Sequence, residues 1–164
     1  MTQLDDLYKE IILDHYRRPR HKGALPVPPA RRGHGYNPLC GDEVTVTVVV
    51  EDGRVADVNF EGRGCAISQA SASMMSELVK GQPLETVAEE FDRFRSMLGV
   101  DTTGPDGGAG VAFEVGGEPG RQLGDAEALQ GVRDFPSRVK CATLSWNTLT
   151  GAIAGEGEFS ETDT

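Results

Sequence analysis

A β-branched run followed by a tight turn is the feature that most constrains the fold of this chain. Residues Glu43 to Val50 (EVTVTVVV) have the composition and length of a β-strand. The triplet Glu51-Asp52-Gly53 comes next and carries the Asp-Gly signal of a hairpin turn. Val55, Val58 and Phe60 then indicate the returning strand. The pattern therefore predicts an antiparallel β-hairpin.

The segment before the hairpin predicts a helix and an irregular connection. Apolar residues recur at helical spacing over residues 3–17, and Pro19 ends that pattern. His15 lies on the apolar stripe, where a packed or capping histidine is more common than a metal ligand. Residues 19–38 are rich in proline and glycine, which favours an irregular connection with room for one short strand.

The segments after the hairpin predict further helices. Ile67, Met74 and Leu78 share one helical face, and Gly81 is a candidate C-terminal cap. Small residues in the same helix allow it to lie close to a sheet; they are residues 66, 68 and 70–73. Two more helical patterns cover residues 84–98 and the region from about residue 139, and Asp125 is a candidate N-cap between them. We expect an α+β fold, with a small antiparallel β-sheet packed against helices on one face.

The length of 164 residues fits one domain, residues 1–164, with a hydrophobic core of its own. Two segments depart from regular patterning. Residues 99–124 are rich in glycine and are expected to form a flexible insertion. The acidic tail from Gly155 is expected to fray.

Charge and hydrophobicity narrow the class of partner. The net charge is −10, so a nucleic-acid partner is not expected. The positive residues cluster in residues 17–32, which either face an acidic partner or form a solvated loop. No apolar run is long enough to span a membrane, and charges interrupt the apolar positions at the N-terminus, unlike a signal peptide. We therefore expect a cytoplasmic protein with no membrane partner.

Three cysteines carry the candidate chemistry. An odd number of cysteines, in a chain expected to be cytoplasmic, disfavours a disulfide framework. The cysteines are then buried thiols, metal ligands or reactive sulfur. Cys40 lies in a Pro/Gly loop before the first strand of the hairpin. Cys65 and Cys141 lie where helices begin, and helix N-termini favour thiolates. Positively charged residues stand close to these two cysteines in the sequence: Arg63 precedes Cys65, and Arg138 and Lys140 precede Cys141.

These cysteines and one nearby carboxylate form a candidate metal-ligand set. The spacings of 25 and 76 residues match no compact zinc finger, so the prediction depends on the local context of each residue. Three thiolates and the carboxylate of Asp42 would supply four ligands in a tetrahedron, which suits Zn²⁺. The alternative for the first loop is that Gly41 and Asp42 only form a turn and Cys40 is a small hydrophobic residue.

Five motifs resemble the superfamily of IscU/NifU-like N-terminal iron–sulfur cluster assembly proteins, and in particular its SufU-type branch. The resemblance covers about residues 4–153 and implies the IscU/SufE-like version of the α+β fold. It implies zinc ligation by Cys40, Asp42, Cys65 and Cys141. Arg138 matches an arginine of the SufU pattern, and Lys140 stands where IscU-type scaffolds carry a histidine. The motifs are DHYRRPRHKG, NPLCGDEV, GRGCAISQASASMMSELVKG, LGDAEALQGV and FPSRVKCATLSW.

The resemblance implies a sulfurtransferase-like activity in iron–sulfur cluster assembly. A pyridoxal-phosphate cysteine desulfurase of the SufS type would pass persulfide sulfur to Cys40, the expected catalytic residue, with Arg138 assisting. The sulfur would then move to a scaffold complex of the SufBCD type. Persulfide transfer is chemically analogous to disulfide exchange.

Two alternatives remain. In the first, the protein is itself a scaffold that assembles and donates an iron–sulfur cluster, with a transient cluster or iron at the same site. Lys140 weakens this alternative because a protonated lysine has no lone pair to offer a metal. In the second, the zinc is purely structural, and its removal unfolds the chain.

Overall fold

The computed structural model describes residues 3–38, 40–99, 123–155 and 158–160. Within these residues, four α-helices and four β-strands form the architecture, and a 3₁₀-helical segment, Gly124–Asp134, precedes the last helix. The helices are α1 (Gln3–Arg17), α2 (Ala66–Val79), α3 (Leu84–Met97) and α4 (Pro136–Ala154). The strands are β1 (Arg31–Asn37), β2 (Asp42–Glu51), β3 (Arg54–Arg63) and β4 (Glu158–Ser160).

The predicted hairpin, β2 and β3, forms one side of the sheet, whose strand order is β3-β2-β1-β4. Glu51 pairs with Arg54, which leaves Asp52 and Gly53 as a two-residue turn. Both turn residues have positive φ, 53° and 72°, as the hairpin turns that match strand twist require. β1 pairs antiparallel with β2, so the short strand expected within residues 19–38 exists.

Helices α2 and α4 carry the core contacts of the sheet. α4 lies against β1 and β2, α2 lies against β3 and α4, and α1 packs on α2. The approach of α4 to β1 is close at Gly33, where a Cβ would lie 2.8 Å from the backbone oxygen of Thr148. On the other side of α4, Trp146 stacks against Phe91 and Phe94 of α3, with ring centroids 5.5 and 4.9 Å away. The predicted α+β fold, with an antiparallel sheet and packed helices, is confirmed.

Three details differ from the sequence expectation. Asp125 does not cap a helix: Leu123 precedes the 3₁₀ segment, and the Asp125 carboxylate accepts a hydrogen bond from His15 instead. α4 begins at Pro136, because proline at the first helical position loses no intrahelical bond. Residues 158–160 of the acidic tail pair in parallel with β1, so this part of the tail adds an edge strand.

The glycine-rich insertion predicted at 99–124 falls mainly on residues 100–122, outside the described residues. Among the described helices, none has the length and apolar character needed to cross a lipid bilayer.

Candidate metal centre

Two connections of the fold and the first part of α4 meet at the open end of the hairpin, and each carries a predicted ligand. Cys40 lies in the turn between β1 and β2, and Asp42 is the first residue of β2. Cys65 is the N-cap of α2, directly after β3. Cys141 lies in the second turn of α4. The packing of α2 and α4 on the sheet thus brings together residues that are far apart in the chain.

The donor atoms of Cys40, Asp42 and Cys141 all lie within 4.8 Å of one another. The Sγ atoms of Cys141 and Cys40 are 3.3 Å apart. Cys65 Sγ lies 3.8 Å from Asp42 Oδ2 and is hydrogen-bonded by the Cys141 thiol. The group whose donor atoms could surround one ion therefore contains Cys40, Asp42 and Cys141, and Cys65 lies beside this group, in contact with Asp42 and Cys141.

The four residues differ in exposure. Asp42 and Cys141 are fully buried, Cys65 is half-buried, and Cys40 is exposed. Cys40 belongs to a turn in which Gly41 has a φ of 74°, the left-handed conformation that glycine adopts without strain. An exposed cysteine on a turn can move at lower cost than one in a packed helix.

The Asp42 carboxylate is fixed by the start of α2. Its Oδ1 accepts a hydrogen bond from the backbone amide of Cys65 at 2.9 Å, which leaves Oδ2 facing the Cys65 sulfur. Gly64 makes this possible, since a Cβ at that position would overlap Asp42 Oδ1. The local sequence around Gly64 does not show which side chain packs against its backbone.

The pKa values of the Cys65 and Cys141 thiols are shifted in opposite directions. The hydrogen bond from Cys141 lowers the pKa of Cys65 to about 6, against the desolvation that burial imposes. The same hydrogen bond, together with burial and the nearby Asp42, raises the pKa of Cys141. In the metal-free protein, Cys65 is therefore the preferred thiolate and Cys141 the thiol that donates to it.

Cys40, Asp42 and Cys141 form a donor group that can hold a zinc ion, and Cys65 beside it is the candidate fourth ligand. Ligands at zinc–sulfur bond lengths of about 2.3 Å lie roughly 3.8 Å apart at the corners of a tetrahedron. The Cys65–Asp42 separation of 3.8 Å matches that spacing, and the Cys40–Cys141 separation of 3.3 Å needs only a small opening on the exposed side. Three sulfurs and one carboxylate oxygen also favour zinc over the hard cations Mg²⁺ and Ca²⁺.

The positive side chains predicted near the cysteines occupy different surroundings. Arg63 is exposed and pairs with Glu43 at 3.6 Å. Arg138 is exposed in the first turn of α4, one turn before Cys141, and lines an open groove of about 900 Å³ together with Ile67 and Phe135. Within the described part of the chain, no ion pair joins Arg138 to Asp42.

His15 belongs to a separate cluster with Glu77 and Asp125. The ring is fully buried, with Nδ1 2.7 Å from Ser73 Oγ and Nε2 2.8 Å from Asp125 Oδ2. Arg20 lies 3.9 Å from Glu77 and supplies a positive charge of its own. Both ring nitrogens are satisfied by side chains of neighbouring elements, so His15 is a packed histidine that joins α1 to α2 and the 3₁₀ segment, as its place on the apolar stripe predicts.

Known proteins are similar in sequence to this chain over most of its length. The family described as NifU-like N terminal domain matches residues 7–106. The zinc-dependent sulfurtransferase SufU of Bacillus subtilis is 41% identical over 155 residues, covering 94% of this chain and 95% of that protein. The iron–sulfur cluster assembly scaffold protein IscU of Streptococcus pyogenes is 37% identical over 153 residues, covering 93% of this chain and 86% of that protein.

A solved structure gives the same result for the fold. The crystal structure of a putative iron–sulfur cluster assembly scaffold protein for the SUF system, from Fervidobacterium islandicum, superposes with a TM-score of 0.68 at 32% identity. The superposed region covers 88% of this chain and 94% of the Fervidobacterium chain. The chain therefore belongs to the NifU-like N-terminal domain family of iron–sulfur cluster assembly proteins.

Proposed function

We propose that this protein is a zinc-dependent sulfur-transfer protein that accepts persulfide sulfur on Cys40 from a cysteine desulfurase. The observation that carries the proposal is the asymmetry of the ligand set. Cys40 is exposed on a turn, whereas Asp42 and Cys141 are fully buried and Cys65 is half-buried at a helix N-terminus. One sulfur can therefore leave the set and meet a partner while the others hold the site together.

The transfer step is an exchange between a thiolate and a persulfide. The Cys40 thiolate attacks the terminal sulfur of the desulfurase persulfide, and a new sulfur–sulfur bond forms on Cys40. The sulfur–sulfur bond of the donor breaks, and its electron pair leaves with the desulfurase cysteine as a thiolate. Nothing is oxidised or reduced overall. Cys40 then holds a persulfide that a downstream scaffold complex can accept by the same exchange.

Zinc, when bound, would keep its cysteine ligands as thiolates, which are the nucleophilic form. The fit of the donor set and the name of the Bacillus relative, a zinc-dependent sulfurtransferase, support this assignment. The pyridoxal-phosphate chemistry that makes the persulfide stays with the desulfurase. The cytoplasm, where cysteines remain reduced, is the compartment that suits this exchange.

Arg138 and its groove are the proposed contact with the desulfurase. The groove borders the ligand residues on two elements, with Ile67 two residues after Cys65 and Arg138 three residues before Cys141. Phe135 adds an apolar side chain that is 60% exposed. As the site opens, Arg138 would either be freed or hold the Asp42 carboxylate, because a guanidinium binds a carboxylate through paired hydrogen bonds.

The second candidate is a scaffold that assembles an iron–sulfur cluster on the same residues. The Streptococcus relative, named as such a scaffold, favours it. Lys140 opposes it, since its ammonium group is no metal ligand and a cluster would depend on Asp42 or an outside ligand. A third candidate, a structural zinc site, predicts that the chain unfolds without zinc and accepts no sulfur.

One experiment separates the three candidates. The zinc-loaded protein is mixed with a cysteine desulfurase and L-cysteine. Persulfides are then trapped by alkylation, and the mass of each cysteine-containing peptide is measured by mass spectrometry. Sulfur transfer predicts a gain of about 32 Da per sulfur atom on Cys40, through persulfide exchange. The Cys40→Ser variant should lose the gain, whereas Asp57→Ala, a change in β3 away from the site that keeps all four candidate ligands, should keep it.

Other results would reject the proposal. A persulfide mapped to Cys65 or Cys141, with Cys40 unmodified, would assign the transfer to another residue. A visible absorption band on adding iron, with transfer of the cluster to an acceptor protein and no persulfide on Cys40, would identify a scaffold. Loss of folded structure on zinc removal without any sulfur uptake would identify a structural site.

A further inference from the structure

Asn37 lies at the junction of the ligand residues and is absent from the predicted ligand set. It is the last residue of β1, is fully buried, and pairs across the sheet with Asp42. A buried amide side chain needs hydrogen-bond partners, because a polar group that loses its hydration without a new partner is destabilising. The partners that Asn37 has therefore indicate what the residue does.

The backbone of Asn37 anchors the turn that carries Cys40. Its carbonyl oxygen accepts hydrogen bonds from the amides of Gly41, at 2.8 Å, and Cys40, at 3.2 Å. These bonds fix the position of the turn's main chain. They leave the Cys40 side chain on the exposed surface, where it can rotate without breaking them.

The side chain of Asn37 contacts the other end of the site. Its Nδ2 donates to Cys141 Sγ at 3.8 Å, inside the protein and 104 residues away in the chain. An N–H group that donates to a thiolate stabilises the charged form and withdraws electron density from the sulfur. A sulfur stabilised in this way is a weaker nucleophile than an unassisted thiolate.

We propose that Asn37 is a positioning residue that retains Cys141 in the site and leaves Cys40 as the sulfur that departs. Its main chain holds the Cys40 turn, and its amide holds the Cys141 sulfur. The two contacts from one residue distinguish two cysteines whose Sγ atoms are 3.3 Å apart. The choice of cysteine depends on the proposed function, whereas the contact with Cys141 does not.

The test compares Asn37→Leu with Thr47→Val. Leucine keeps the volume and removes the N–H donor while the backbone bonds of the turn remain. Thr47 is a matched control, since it is buried in β2 and its hydroxyl accepts a hydrogen bond from Leu25 N at 3.0 Å, without contact to a cysteine. Asn37→Leu removes the donor to Cys141 and Thr47→Val removes the acceptor for Leu25 N, so each variant loses a polar contact of a buried strand residue.

The first readout is spectroscopic and needs no sulfur transfer. In the cobalt-substituted protein, losing the N–H donor should move the sulfur-to-cobalt charge-transfer band to lower energy in Asn37→Leu, with no shift in Thr47→Val. Release of zinc to a chelator should be about tenfold faster in Asn37→Leu, as for other residues that orient metal ligands. Equal spectra and equal release rates in a folded Asn37→Leu variant would overturn the proposal.

A measurement on the unaltered protein covers the case in which Asn37→Leu fails to fold. In the ¹¹³Cd-substituted protein, the side-chain amide protons of Asn37 should show scalar coupling to cadmium across the hydrogen bond to Cys141 Sγ. Absence of that coupling, with coupling visible to the cysteine β-protons, would overturn the proposal.

The second readout tests the choice of cysteine. After reaction with desulfurase and L-cysteine, Asn37→Leu should carry persulfide on Cys141 as well as on Cys40. Persulfide confined to Cys40 in that variant would overturn the selective role. If the unaltered protein accepts no sulfur at all, the proposed function fails, and the cobalt and cadmium spectra still decide whether Asn37 holds Cys141.

Discussion

The carboxylate of Asp42 accepts a hydrogen bond from the backbone amide of Cys65 at 2.9 Å, so one candidate ligand fixes the position of the next. The bond joins the first residue of β2 to the N-cap of α2. It uses an amide that the helix leaves without an intrahelical partner. Asp42 is thus a structural link and a candidate ligand, each through a different oxygen.

Replacing Asp42 with alanine should weaken both roles. The variant loses a buried, charge-assisted hydrogen bond, so the free energy of unfolding of the metal-free protein should fall by about 2 kcal/mol. Three cysteines can still hold zinc, but release to a chelator should be about tenfold faster. Asp57→Ala is the control, since Asp57 Oδ1 also accepts a backbone hydrogen bond, from Val58 N at 3.0 Å, away from the site. A release rate equal to that of the unaltered protein would reduce Asp42 to a turn residue.

Replacing Gly64 with alanine should displace the Asp42 carboxylate. Gly64 has a φ of 149°, and an added Cβ would overlap Asp42 Oδ1. We expect a loss of about 2–4 kcal/mol in the free energy of unfolding and a large drop in zinc content measured by elemental analysis. Gly53→Ala is the matched control: its φ of 72° is also strained for alanine, yet no atom lies within 4 Å of the added Cβ. Full zinc content in both variants would contradict the prediction.

The metal-free protein should show an unusually acidic thiol at Cys65. The hydrogen bond from Cys141 lowers the pKa of Cys65 to about 6, so the thiolate persists at neutral pH and is lost as the pH falls through about 6. Alkylation of Cys65 by iodoacetamide, followed by peptide mass spectrometry, should show its inflection near that pH. In Cys141→Ala the donor is absent, and the inflection should move up toward the ordinary thiol value of about 8.5. An unchanged inflection in that variant would exclude Cys141 as the cause.

Ser71→Ala should loosen the two helices that carry Cys65 and Cys141. The Ser71 hydroxyl donates to the backbone oxygen of Ala142 at 2.6 Å across the buried α2–α4 contact. Its loss should lower the free energy of unfolding by about 1 kcal/mol and speed zinc release. Thr150→Ala is the control, because the hydrogen bond described for the Thr150 hydroxyl stays within one helix. It runs to Trp146 O at 3.0 Å. If both variants release zinc at the same rate, the interhelical bond does not hold the site.

The main elements follow from local sequence. The β-branched run of residues 43–50 and the Asp52-Gly53 turn determine the hairpin, because branched side chains favour a strand and the turn residues reverse the chain. The apolar stripe and Pro19 determine α1 in the same way. The three cysteine contexts are also local, so the candidate ligands can be named from the chain's own motifs.

Contacts across the fold do not follow from local sequence. Asp125 resembles an N-cap, but its carboxylate bonds to a histidine 110 residues away, and that partner depends on how α1 packs. Residues 158–160 resemble a frayed tail, yet they pair with β1, because the edge of a sheet offers unpaired backbone groups to any strand that reaches it.

The sequence by itself determined the elements and the residue types available for chemistry, because turn residues, helical periodicity and thiol context act over a few neighbouring positions. The tertiary structure decided which of those groups meet. Packing of α2 and α4 on the hairpin places Cys65 and Cys141 beside Asp42 and buries Asn37 against Cys141, while Cys40 stays exposed. Burial and distance are properties of the packed whole, and they separate a cysteine that can leave the site from those that hold it.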